Sequence, residues 1–123
     1  MQPTLSARVE RFPVRGSFVI ARGAKTHVDV AVAEVSAGNH AGRGEATAIY
    51  YRGETAESVV AAILAQRHAI AAGATRADLL TLMPAGAARN ALDAALWDLE
   101  AKASGRRSMW RCRGNMPTWT GRC

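Results

Sequence analysis

An α+β fold, a three-stranded antiparallel meander followed by helices, is what this sequence predicts. Three observations carry the prediction. Valines alternate between His27 and Val35, as in a half-buried strand, and a turn and a second short run follow. A Thr-capped segment with apolar residues at helical spacing begins at Thr55. A long alanine-rich stripe then runs from Met83 to Gly105.

Taken in order, Leu5 to Phe12 alternates loosely and is expected to be a first strand that Pro13 ends. Phe18 to Ile20 is a short aromatic and β-branched run. Arg22-Gly23-Ala24-Lys25 reads as a loop, with Gly23 loosening the backbone between two cations. His27 to Val35 is the clearest strand: Val28, Val30 and Val32 share one face, and His27 and Asp29 begin the other. Ser36 to His40 is a turn, and Gly42 to Ala48 returns as an antiparallel partner.

Ile49 to Gly53 is a Tyr-rich loop. Thr55 caps a helix expected to run through about Ala71, with Val59, Val60, Ile63, Leu64, Arg67 and Ile70 repeating at helical spacing. Gly73 stops it, and Thr75 or Asp78 starts a short helix through Leu82. Pro84 and Gly86 break the chain before the last helix, and Gly105 sits where a left-handed cap is wanted. Along that helix Ala88, Leu92, Ala95, Leu96, Leu99 and Ala103 fall on one face. Arg89 with Asp93, and Asp98 with Lys102, are opposite charges one turn apart.

The net charge of +6 suggests nucleic acid or an anionic surface until its distribution is read. Residues 1–104 hold eleven Lys/Arg and all ten acids, so the excess sits in the last 18 residues. That segment, Arg106 to Cys123, has five Arg, two Trp, two Cys and two Met, and no Asp, Glu or Lys. It reads as translation out of frame or a wrong gene end, with a genuine basic tail as the alternative. Cys112 and Cys123 form no CxxC and have no His nearby for a zinc set. With no signal-type leader and no membrane-length apolar run, the cytoplasm is the expected compartment.

The run MPAGAARNALDAALWDLEAK at Met83 to Lys102, with FVIARGAKT at Phe18 to Thr26, GRGEAT at Gly42 to Thr47 and GETAESV at Gly53 to Val59, resembles the N-terminal capping domain of the enolase superfamily. The likeness is to its muconate-lactonizing subgroup, and within it to the L-Ala-D/L-Glu dipeptide epimerases. It covers about residues 1–105, which sets the atypical tail at 106–123 apart. The resemblance implies an isomerase parent that uses magnesium (Mg2+) to exchange the α-proton of a dipeptide. In that family two Lys bases and three metal-binding carboxylates come from a (β/α)8 barrel. A barrel needs at least about 200 residues, so the chain is expected to stop short of it and not to catalyse alone. No catalytic or metal-binding residue is carried over.

The resemblance also implies a lid: two loops of the domain close over the barrel mouth and help select the substrate. Arg22 and Lys25 sit in the first loop, where either can pair with the terminal carboxylate of a dipeptide such as Ala-Glu. Phe18 and Ile20 supply apolar wall. The second loop is Ile49 to Arg52, where family members often read Arg-Tyr-Gly-Glu and this chain reads Tyr51-Arg52-Gly53-Glu54; Tyr50 and Tyr51 are expected as packing and rim residues. Asp93, Asp98 and Glu100 are expected as helix-surface charges and caps, His27, His40 and His68 as scattered structural residues, and Trp97 as core. The rival reading is a small basic protein that places Arg106 to Arg122, with Trp110 and Trp119 interleaved, on nucleic acid or an acidic surface. Charge supports it only in the tail.

Overall fold

The computed structural model describes residues 2–20 and 23–105, and their side chains except at 17–25 and 50. The Arg106 to Cys123 segment therefore lies outside the described residues, as does each reading that rests on it. Strands β1 (Thr4–Ile20), β2 (Gly23–Ala37) and β3 (His40–Ala46) form one antiparallel sheet in the order β1-β2-β3. Helices α1 (Ala56–Leu64), α2 (Arg67–Ala71), α3 (Arg76–Leu82) and α4 (Ala87–Ser104) follow. The predicted α+β meander is the fold found.

Pro13 does not end the first strand. It pairs opposite His27, and the ladder then shifts register before resuming at Phe18 opposite Lys25. Two things let proline stay: β1 is an edge strand, and the shift absorbs the missing N–H. Gly16 lies within the irregular segment at φ 77°, a left-handed conformation that favours glycine. The β2–β3 connection is tighter than expected. Ala37 pairs with His40 across Gly38 and Asn39, and a positive φ of 60° at Gly38 makes a two-residue hairpin.

The sheet presents two unlike faces. Ala31, Ala33 and Val35 of β2 share one face with Gly42, Gly44 and Ala46 of β3, their partners in register. On the other face, Val30 and Val32 lie among Arg8, Glu10, Glu34, Arg43 and Glu45. Ion pairs link Arg8 to Glu10 (3.1 Å) and Arg43 to Glu34 (3.4 Å) there. The helices pack on the small-residue face, and the core collects Ala31, Ala33 and Val35 with Ile63, Ile70, Leu79, Leu92 and Ala95.

The long helix is where sequence and structure differ by a fraction of a turn. α4 buries Ala87, Ala91, Leu92, Ala95, Leu96 and Ala101, while Ala103 is exposed. Contact with β2 and β3 on one side and with α1 and α3 on others widens the buried arc toward the alanines. Gly105 ends α4 at φ 70°, as its position predicted. The helix expected from Thr55 to Ala71 is two helices. A turn at Ala65 and Gln66, where the Gln66 amide bonds back to Ile63, separates them, and α2 packs on β1. Thr55 and Ser58 cap α1 reciprocally, and Thr75 and Asp78 do the same for α3, so both residues proposed as its start take part.

Candidate functional site at one end of the sheet

Strand direction sends both loops, β1–β2 and the one after β3, off toward the same end of the sheet. β3 ends at Ala46, opposite Ala31, whereas β2 begins eight residues earlier at Gly23. The β1–β2 hairpin tip therefore extends past the point where β3 turns off into the segment before α1. In the hairpin Phe18 pairs with Lys25, Val19 with Ala24 and Ile20 with Gly23. Gly23 to Lys25 thus belong to β2 rather than to a loop, because backbone pairing continues nearly to the tip. Arg22 lies outside the described residues, and so do the side chains of Phe18, Ile20 and Lys25.

The second loop is built in more detail. Tyr50–Arg52 is a single 3-10 turn, and Gly53 follows at φ 75°. The Ile49 carbonyl accepts from the Arg52 amide (3.0 Å) and from the Glu54 amide (3.3 Å). The Glu54 carboxylate returns to accept from the Ile49 amide at 2.8 Å. Arg52 donates through Nη1 to the Ala85 carbonyl at 3.0 Å. Tyr51 stands on this tied turn and is 86% exposed. Beside it a shallow groove of about 480 Å³ is lined by Thr47, Ile49, Arg52, Gly86 and Asn90.

Sequence reasoning gave Glu54 no role and did not connect the break before α4 with the second loop. Their partners lie across the fold: the Arg52 to Ala85 bond joins positions 33 apart. The only local hint is an acid directly after Gly53 and before the Thr55 cap.

Several other carboxylates are engaged in holding the fold. Asp98 accepts from the Arg43 amide (2.9 Å) and from Lys102 Nζ (2.8 Å), so the predicted i,i+4 pair forms. Burial works to raise the Asp98 pKa, but the Lys102 and Arg43 hydrogen bonds outweigh it and the carboxyl is held below its ordinary value. Arg89 reaches back to the Met83 carbonyl at 3.4 Å. Trp97 is half-buried rather than core: the Arg76 guanidinium stacks 3.4 Å from its ring centroid and pairs with Glu100 at 3.1 Å. His40 and His68 are exposed on different elements, and His27 meets Thr26 at 3.4 Å. Among the described residues no three of His, Cys, Asp and Glu converge on one point. The described residues therefore offer no set of donors that fits a divalent ion. No helix among them is long and apolar enough to cross a membrane. The arrangement offers a wall: an exposed aromatic ring on a stitched turn beside a groove.

Comparison with known proteins assigns this architecture. Residues 4–110 match the family described as mandelate racemase / muconate lactonizing enzyme, N-terminal domain. The chain belongs to that family. This N-terminal domain is 42% identical over 99 residues to the L-Ala-D/L-Glu epimerase of Escherichia coli (strain K12), covering 80% of this chain and 31% of the relative. Its fold superposes with a TM-score of 0.87 and 46% identity on an Agrobacterium tumefaciens enolase-family member with homology to dipeptide epimerases, over 93% of this chain and 35% of that one. That structure holds sodium and L-Ala-L-Glu, with an ordered loop. A dipeptide epimerase from Methylococcus capsulatus, complexed with Mg and L-Arg-D-Lys, matches with a TM-score of 0.70 and 30% identity, over 85% and 33% of the two chains. The chain spans about a third of the length of the relatives it matches.

Proposed function

We propose that residues 1–105 form the capping, substrate-selecting domain of a magnesium-dependent dipeptide epimerase acting on substrates of the L-Ala-D/L-Glu kind. The observation that carries this reading is the 42% identity to an L-Ala-D/L-Glu epimerase over 99 residues. Strand direction, which sends the β1–β2 hairpin and the Tyr51 turn off toward the same end of the sheet, supports it.

In this reading the proton-transferring groups and the ligands of magnesium come from a barrel, and the present chain encloses the substrate. Arg22 or Lys25 pairs with the dipeptide's terminal carboxylate, where Arg offers the bidentate geometry. Phe18 and Ile20 supply apolar wall, and closure over the mouth excludes water from the reacting carbon. The domain by itself is proposed to be inactive.

The test joins the domain to the barrel sequence encoded beyond the Gly105 codon in whichever reading frame carries it. Deuterium entry at the α-carbon of L-Ala-L-Glu is then followed in D2O with magnesium. Exchange by the joined enzyme is the expected result. An enzyme that folds, binds magnesium and leaves every dipeptide unexchanged would remove the epimerase assignment.

A further inference from the structure

The two edges of the sheet are built differently. β1 is broken by Pro13 and by a register shift, whereas β3 (His40–Ala46) has no proline and pairs with β2 without a shift. An unbroken edge offers its outward N–H and C=O groups to any extended chain. Along an antiparallel ladder these groups alternate, one residue turning both toward its partner strand and the next turning both away. In β3 the outward set includes Ala41 and Arg43, and α4 meets it there. The Arg43 amide donates to Asp98 Oδ2 at 2.9 Å, and the Ala41 carbonyl accepts from Lys102 Nζ at 2.9 Å. Lys102 also donates to Asp98 at 2.8 Å, one helical turn away. One carboxylate and one ammonium thus take the places that the carbonyl and amide of a fourth strand would occupy. Gly42 and Gly44 make this reach possible, because a Cβ on either would meet the backbone of α4.

We propose that Asp98 and Lys102 guard the β3 edge against antiparallel pairing with β3 of a second copy of this chain. A second copy is the partner that fits, because a strand pairing antiparallel with itself is two-fold symmetric and forms each of its bonds twice. Seven residues are an ordinary length for a paired strand. The side chains of Asp98 and Lys102 are 35% and 52% exposed, so their mutual attraction is screened and adds little to stability. What they do is occupy an edge N–H and an edge C=O that would otherwise recruit a neighbour. The guard is a property of the domain itself and holds whatever substrate the parent enzyme takes.

The experiment is sedimentation velocity over a dilution series, in reducing buffer, on the intact 123-residue chain and on Asp98→Leu, Asp98→Asn and Thr75→Ala. Exchange of the Ala41 amide, a member of the outward set, locates any contact at β3. Asp98→Leu is expected to self-associate roughly tenfold or more tightly than the parent, the scale of two net hydrogen bonds formed at once by symmetry. Its Ala41 amide gains protection as concentration rises. Asp98→Asn keeps an acceptor oxygen for the Arg43 amide and stays with the parent. Thr75→Ala weakens α3 far from the edge, so it stays with the parent too and separates edge pairing from lost stability. Unchanged association of Asp98→Leu overturns the proposal, as does association equal to that of Thr75→Ala, or association that leaves the Ala41 amide unprotected. Concentration-dependent protection of Ala41 in the parent overturns it as well. If Asp98→Leu fails to fold, Lys102→Met, which keeps the stem and loses the donor, is read by the same two measurements and decides in the same way.

Discussion

Gly44 of β3 lies directly under the carbonyl oxygen of Ala91 in α4, so close that a Cβ on the glycine would occupy the space of that oxygen. Gly42 stands in the same relation to Ala95 one turn along. The helix rests on bare strand backbone at both points. Neither obstacle is the flexible end of a side chain, so the cost of an added methyl cannot be relieved by a rotamer change. Gly44→Ala is expected to destabilise the domain by about 3 kcal/mol, the upper end for overpacking. Urea unfolding measures it; a loss under about 0.5 kcal/mol, the scale of a neutral surface change, would contradict the close approach of α4.

Asp98 ties α4 to β3 through the Arg43 amide, and acid should loosen that tie. Its carboxyl titrates below the ordinary value, despite the opposing effect of burial, because Lys102 and the Arg43 amide stabilise the ionised form. A depressed folded-state pKa contributes stability that is fully present above about pH 4, the unfolded value, and fades as pH falls through the lower folded value. Asp29, hydrogen-bonded by Arg11, and Asp78, bonded by Thr75, are depressed as well and act in the same direction. Stability should therefore drop as the solution is acidified below about pH 4. Asp98→Asn should flatten part of that slope, which urea midpoints across the acid range will show.

Gly16, at φ 77° with nothing within 4 Å of a would-be Cβ, tests backbone strain without crowding. Gly16→Ala is expected to cost about 1 kcal/mol through the left-handed conformation alone. Gly16→Asn, which tolerates that conformation better, should cost less. Equal stability of all three proteins would show that the segment relaxes to another conformation.

Thr75 accepts from the Asp78 amide at 3.3 Å, and its own amide donates to the Asp78 carboxylate at 2.8 Å. Thr75→Ala should cost about 1 kcal/mol, read by thermal unfolding, and should raise exchange at the first amides of α3 before those of α4.

In the joined enzyme of the proposed function, replacing whichever of Arg22 and Lys25 holds the substrate carboxylate should raise KM by roughly tenfold or more, as loss of a charged hydrogen bond does. Replacement of the other should leave kinetics near the parent. If neither substitution changes KM for L-Ala-L-Glu, the first loop does not read that carboxylate.

Features set by a few neighbouring residues could be read directly from the chain. The Thr55 and Thr75 caps, the hairpin at Gly38 and the left-handed stop at Gly105 all depend on chemistry within four positions. Alternation likewise sorted β2 into two faces. Choosing which face turns inward was beyond it, since a stripe of valines is the more hydrophobic side and yet the alanine side meets the helices. Shape decided: Gly42, Gly44, Ala31 and Ala33 make a surface flat enough for the backbone of α4 to settle on, and the valines share their face with salt-bridged arginines and glutamates. The break between α1 and α2, the stacking of Arg76 on Trp97 and the Glu54 clasp belong to the same class. Each depends on how separate elements meet in the folded chain, and periodicity along one segment carries no information about the surface that another will present to it.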